Sequence, residues 1–387
     1  MTHRLYYDDP YIFSFTAQVI SVTEKEGRFA TVLDSTAFFP EGGGQCGDSG
    51  IIAGTAIVDT KEEGGAIFHY SRSKPEYGPG DRVLCSVDTE PRLDRMRQHT
   101  AEHIVSGSIN RNFAFSNVGF HLGADVVTMD FSGVLDRNML DLAEDEANSA
   151  VMKNVPVTAV IYSAEEAAKL HYRSKTSFPG EVRIVTVEGF DCCACCAPHV
   201  KSTGEIGVIK ILDFLKYKGG TRVYMKAGER ALRDYRSRYC QTVSISRSLS
   251  AKQEEITDSV NALLSENREL KHIIKSKNSV IVNLILQNAM DGNDQIFFLS
   301  DTDPEIMRGL VSEKYSSGRR AVFCGEDATG YNFAILTSRG DSADILCGMK
   351  KELRASGGGR GDFIQGRAKC TRPEIERFFR DMGFDVL

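Results

Sequence analysis

Residues Phe190–Val200 read FDCCACCAPHV, four cysteines and one histidine within eleven positions. Thiols this crowded are candidates for redox pairs, disulfides, an iron–sulfur nest or ligands to one metal. Cys195 and His199 form a C-x3-H pair, with Pro198 discouraging helix between them. A second four-spaced pair, His99 and His103, lies about ninety residues upstream in RQHTAEH. In a helix, i and i+4 share a face, so both imidazoles can address one ion. Alone, such a pair more often marks two unrelated surface histidines. Together the two pairs supply three imidazoles and one thiolate, a tetrahedral set suited to zinc, one ion per chain. Cys196, at C-x2-H spacing, is the rival thiolate, and Cys192 and Cys193 are neighbours. Adjacent cysteine pairs do not match common iron–sulfur spacings. The nearest acid, Glu102, is expected on a different face of the helix, and HTAEH is not the HExxH of zinc proteases.

The chain has 387 residues, 41% hydrophobic and 26% charged, with net charge −6 and ten cysteines. That is ordinary globular composition, long enough for two or three domains. No apolar run reaches membrane-spanning length, and MTHRLYYDDPYIF lacks the apolar core of a signal peptide. A cytoplasmic location with no membrane partner is expected, where clustered thiols favour metal or redox chemistry over disulfides. The acidic net charge conceals a basic stretch. Residues 201–250 hold 11 Lys/Arg against 4 acids, a local +7.

Periodicity predicts an α+β protein. Residues 1–88 alternate short β-like runs with Gly-rich turns, as in a small β-barrel. Residues 89–228 predict an α+β metal-binding domain, with a helix opening at Pro91 and another over residues 137–154. AEEAAKLHY is a further expected helix. Residues 229–290 predict a long helical segment ended by Asp291–Gly292, and residues 291–387 a C-terminal α/β domain interrupted by a Gly-rich loop, SGGGRGDF. Within the helical segment, Val260, Asn267, Ile274 and Ile281 occupy a positions, and Ile256, Leu263, Leu270, Lys277 and Leu284 d positions. β-Branched a residues, one Asn at a and Leu mostly at d predict a parallel pair. A homodimer through residues 250–287 or the C-terminal domain is therefore expected; an intramolecular hairpin uses the same stripe, and Lys277 weakens the seam.

H-x3-H followed by C-x3-H resembles the signature of the editing domain of alanyl-tRNA synthetases and of the free-standing AlaX editing proteins. His99, His103, Cys195 and His199 fall on its four positions. The family's Cys-Gly-Gly-Thr-His reads Cys-Cys-Ala-Pro-His here. TAFFPEGGGQCGDSG, Thr36–Gly50, resembles the family's Gly-Gly-Gln loop, matching at Gly43, Gly44 and Gln45. SGGGRGDFIQGR resembles the Gly-rich segment of the C-terminal domain shared by alanyl-tRNA synthetases and DHH-family phosphoesterases, and the long helix before it matches the long AlaX form. The resemblance covers nearly the whole chain, and no class II aminoacylation core is expected.

The resemblance implies a trans-editing hydrolase that removes serine, with glycine as second candidate, from mischarged alanine tRNA. Gln45 and the amides of Gly43 and Gly44 would orient the aminoacyl group or a water, with zinc either positioning substrate or activating water. His121 is the candidate base. Thr36 and Asn117 are candidates to read the serine hydroxyl. Arg222, Lys226 and Arg230 in the basic stretch, and Arg360 in GGGRG, are candidate tRNA-phosphate contacts. Two other classes remain open: a zinc hydrolase of another small ester, and a non-catalytic zinc-containing tRNA-binding module. A phosphoesterase would need clustered motifs such as Asp-His-His, which the sequence lacks.

Overall fold

The computed structural model describes residues 2–25, 27–174, 180–287, 294–300, 304–311, 319–337 and 340–386. Asp291–Gly292, the expected helix end, lies outside them. The protein is α+β, in two compact units, residues 1–243 and 244–387.

In the first unit, β1 (Ser14–Lys25), β2 (Arg28–Leu33), β3 (Gly50–Ile52), β4 (Thr55–Glu63), β5 (Ala66–Ser71) and β6 (Arg82–Val87) close into a barrel of order β1-β2-β5-β4-β3-β6. Alternation puts Ala17, Val19, Leu33, Ile57, Val83 and Cys85 inside. His69 is also buried there, its Nε2 2.8 Å from Thr36 Oγ1 and its Nδ1 2.9 Å from the Thr31 carbonyl. Burial pushes its pKa down from 6.5 to about 4, outweighing the Thr31 contact. His69 thus folds neutral, while the unfolded chain takes up the proton below about pH 6.5. Its contribution to stability is complete above pH 6.5 and declines as pH falls towards 4. The unfolding midpoint of the wild type should fall more steeply across that window than that of His69→Gln; equal slopes would rule His69 out as the cause.

After the barrel comes α1 (Thr89–Phe113), whose Pro91 sits in the first turn, where a missing N–H costs nothing. From Gln98 to Ile109 every residue of α1 is buried, as in a helix enclosed on all sides. It is covered by α2 (Arg137–Lys153) and by two antiparallel sheets. Strands β7 (Asn117–Leu122), β8 (Val127–Phe131), β12 (Ile209–Tyr217) and β13 (Gly220–Ala227) form one, in order β12-β13-β8-β7. The other, β9-β10-β11, comprises β9 (Val157–Tyr162), β10 (Val182–Val187) and β11 (Asp191–Ala194). AEEAAKLHY yields only a four-residue helix, Ala164–Ala167.

The expected sixty-residue helix is two helices, α3 (Gly228–Leu249) and α4 (Ile256–Gln287), broken where Ser250 adopts φ +51°. The unit boundary falls within α3. Most of the α4 stripe is exposed, including Leu263, Leu270, Ile274, Ile281 and Leu284, whereas Val282 packs on Ile306, Met307 and Leu310.

The second unit holds a six-stranded sheet, β17-β18-β16-β15-β14-β19, made of β14 (Gln295–Leu299), β15 (Arg320–Glu326), β16 (Gly330–Leu336), β17 (Ala355–Arg360), β18 (Phe363–Ala368) and β19 (Asp385–Val386). The expected Gly-rich loop is instead edge strand β17 of a hairpin. Its glycines permit a close approach to β18. A Cβ at Gly359 would stand 2.0 Å from the Phe363 carbonyl oxygen, and one at Gly357 2.4 Å from that of Gln365.

Among the described residues, no helix is long and apolar enough to cross a membrane.

Candidate metal centre and cleft

His99, His103, Cys195 and His199 converge, their ligand atoms all within 4.8 Å of one another. Cys195 Sγ is 3.6 Å from His99 Nε2 and 3.4 Å from His199 Nε2. Helix α1 supplies the first two histidines, and the segment after β11 supplies Cys195 and His199. Cys196 is not part of the group.

Each imidazole presents Nε2 inward and has its Nδ1 held from behind. His99 Nδ1 is 3.0 Å from Gln45 Oε1, and His199 Nδ1 is 3.0 Å from Thr100 Oγ1. His103 Nδ1 lies 3.2 Å from Asp191 Oδ2, a charge contact outside hydrogen-bonding geometry. Arg173 grips Asp191 with two bonds, of 2.7 and 2.8 Å. Backing of this kind fixes the tautomer and aims the ring nitrogen of a metal-bound histidine.

The electrostatics suit a cation. Burial opposes a Cys195 thiolate, but His99, His199 and His103 hold its pKa well below the ordinary thiol value. Burial pushes His199 down to about 3, leaving it a neutral ligand. Burial also works against His103 protonation, but contacts with Asp191 and Cys195 outweigh it and raise its pKa well above 6.5, so a metal ion taken up here would displace that proton. Cys193 and Cys196 are pushed by burial up to about 11, so both remain thiols. One thiolate and three backed imidazoles are a fitting donor set for zinc.

Beside the ligands opens a cleft of about 390 Å³ lined by Gly43, His99, Glu102, His103, Asn117 and Cys195, among others. The glycine loop reaches it as a tight hairpin. Gly42 and Gln45 exchange both backbone hydrogen bonds, with Gly43 at φ +60° and Gly44 at φ +83°, signs only glycine takes readily at two successive turn positions. The Gly44 carbonyl accepts from Leu122 N at 2.9 Å, docking the hairpin on β7. A Cβ at Gly44 would meet the Phe120 carbonyl oxygen at 2.5 Å.

Several expected site residues lie elsewhere. Gln45 is 1% exposed and sits behind His99, with its buried Nε2 lacking a hydrogen-bond partner. Thr36 is not brought to the cleft, because its hydroxyl contacts His69 in the barrel and accepts from Phe38 N. Asn117 does line the cleft, but its Nδ2 is committed to Glu102 and Ser106. Glu102 lines the cleft too, correcting the expectation that it faces away. His121 is exposed and lies outside the lining. Arg222 pairs with Asp130 through two bonds, Lys226 with Asp125 and Asp234, and Arg230 with Asp94. Those three charges are largely neutralised within the fold, and Lys226 and Arg230 are buried. Arg360 is exposed at the end of β17, in the second unit. Asp191, Arg173 and Thr100 carried no signal by themselves, although Thr100 lies inside the first ligand motif and Asp191 four residues before the second.

Gln45→Ala would release His99 Nδ1, so zinc affinity measured by chelator competition should weaken by about 10–100-fold. Unchanged affinity would remove Gln45 from the orienting role.

Residues 182–224 match the threonyl and alanyl tRNA synthetase second additional domain, and residues 8–91 match the class II (A) tRNA synthetases. Both are synthetase-associated families, which sets the class. The second match falls mainly on the barrel. The alanyl-tRNA editing protein AlaX-L of Pyrococcus horikoshii is 33% identical over 97% of this chain and 96% of its own length. The alanyl-tRNA editing protein Aarsd1 of Danio rerio is 26% identical over 93% of this chain and 90% of its own. This chain belongs to the alanyl-tRNA editing protein family. The alanine–tRNA ligase of Thermofilum pendens is 31% identical over 96% of the chain, which spans 43% of the ligase.

Proposed function

We propose that this protein is a cytoplasmic trans-editing deacylase that hydrolyses the ester joining serine, or secondarily glycine, to the terminal adenosine of mischarged alanine tRNA. The observation that carries this is the convergence of the four ligands beside one cleft, whose wall includes His99, His103, Cys195 and Gly43 of the hairpin. His99, His103, Cys195 and His199 would hold one zinc ion, which supplies a fixed positive charge and shapes the pocket wall. Gly43 lines the site, and Gly44 docks the hairpin that carries Gln45 behind His99. From there Gln45 acts through His99, whose Nδ1 its Oε1 holds at 3.0 Å.

The proposed division of labour gives the barrel and its glycine hairpin to residues 1–88, the editing site to 89–228, a helical linker to 229–290 and a C-terminal α/β domain to 291–387. The exposed α4 stripe supports a homodimer. For tRNA phosphates, Arg360 remains a candidate. In the basic stretch the role passes from Arg222, Lys226 and Arg230 to exposed cations outside any ion pair among the described residues: Lys216, Lys218, Arg233 and Arg236.

The test is deacylation of alanine tRNA charged with serine, glycine or alanine, with and without chelator. Hydrolysis of the seryl species, sparing of the alanyl species and loss on chelation are expected. Failure to hydrolyse either mischarged species would overturn the proposal.

A further inference from the structure

We propose that Glu102 binds the α-ammonium group of the aminoacyl ester, with Asn117 and Ser106 fixing its carboxylate; this rests on the deacylase function above. Glu102 lines the cleft and is only 5% exposed. Its Oε1 accepts from Asn117 Nδ2 and from Ser106 Oγ, both at 2.6 Å. Asn117 Nδ2 also donates to Ser106 Oγ at 3.0 Å, while Asn117 Oδ1 accepts from Gly119 N at 3.1 Å. That last bond orients the amide, so Asn117 must offer nitrogen to Glu102.

The other carboxylate oxygen, Oε2, has no hydrogen-bond donor among the described residues. Its ion-pair neighbour is His103 Nε2, 4.0 Å away, the atom turned towards the other metal ligands. Arg173, also on the cleft wall, is committed to Asp191. Oε2 is therefore the oxygen left open to the cleft, in a side chain otherwise largely shielded from water, and a cation placed beside it there is held more strongly than at the surface. The aminoacyl ester carries such a cation. His99, His103, Cys195 and His199 would together hold a zinc ion, and an ammonium group has no lone pair to offer it, so the amino group needs an acceptor from the protein. Glu102 provides a charge-assisted one, oriented beforehand on two donors. The arrangement selects esters with a free amine, because acylation of that nitrogen removes both its charge and two of its donors.

The test is calorimetric binding of two non-hydrolysable 3′-amide analogues of seryl-adenosine, one with the amino group and one with hydrogen in its place. The wild type should bind the amino analogue at least about tenfold more tightly, the scale of one hydrogen bond to a charged group. Glu102→Gln, with zinc content verified, should bind both equally. Equal binding by the wild type overturns the assignment even if the variant misfolds, and so does a variant that keeps the preference. If the wild type deacylates seryl-tRNA but shows no preference, only the Glu102 assignment falls. If it deacylates nothing, the functional proposal falls with it.

Discussion

Cys195→Ala should leave a folded protein that retains less than about a tenth of its zinc and loses deacylation by more than about 100-fold, the upper end for residues that merely orient a ligand. Cys195 is the single thiolate of the set, and the thiolate is the form that binds metal. Its sulfur lies within 3.6 Å of two imidazole nitrogens, so no neighbour can replace it without backbone movement. Cys196 is adjacent in sequence but stays protonated, its pKa about 11, and stands outside the ligand group. Cys196→Ala should therefore keep its zinc. Metal analysis of both variants decides the matter: a zinc-replete Cys195→Ala, or a zinc-free Cys196→Ala, would exchange their roles.

Asp48→Ala should destabilise the first unit by about 3–5 kcal/mol, the scale for stranding a buried charge. Asp48 is 1% exposed and Arg92 fully buried. Asp48 Oδ2 accepts from Arg92 Nε at 2.8 Å and from Arg92 Nη2, and also from Phe39 N at 2.7 Å. Arg95 reaches its other oxygen at 3.2 Å. The same guanidinium holds the carbonyls of Pro10 and Ala37. It therefore ties the barrel and the chain before it to α1, two turns upstream of His99. Urea unfolding with zinc in excess measures the loss, and a change below about 1 kcal/mol would show that the pair is not integral.

The metal ligands were legible because their signal is local. Four-residue spacings state which side chains share a face, and the chemistry of the donors states what joins them. The Gly43–Gly44 turn was legible for a similar reason, since two positive φ angles demand glycine. Glu102 was misplaced by reasoning too narrowly about i+4. A residue three after His99 shares its side of the helix just as well. Arg222, Lys226 and Arg230 look like a basic track only while their partners are unknown. Asp130, Asp125 and Asp94 lie about 90–140 positions away and meet them through the fold. Thr36, a candidate to read the serine hydroxyl, is instead turned by barrel closure towards His69. The break at Ser250 and the pairing of the glycine segment as β17 depend on backbone geometry that residue periodicity does not encode.

The three histidines are braced by three separate parts of the chain: Gln45 on the hairpin, Asp191 on β11 and Thr100 on α1. Their alignment is thus set by tertiary structure and does not have to be assembled around an incoming ion. In small zinc modules, by contrast, metal capture and folding are one event. With zinc held as proposed, the polypeptide would mature first and be charged with the ion afterwards, and would surrender it to a stronger chelator and reacquire it without refolding. The fraction of molecules competent to edit would then follow free zinc in the surroundings rather than the rate of synthesis.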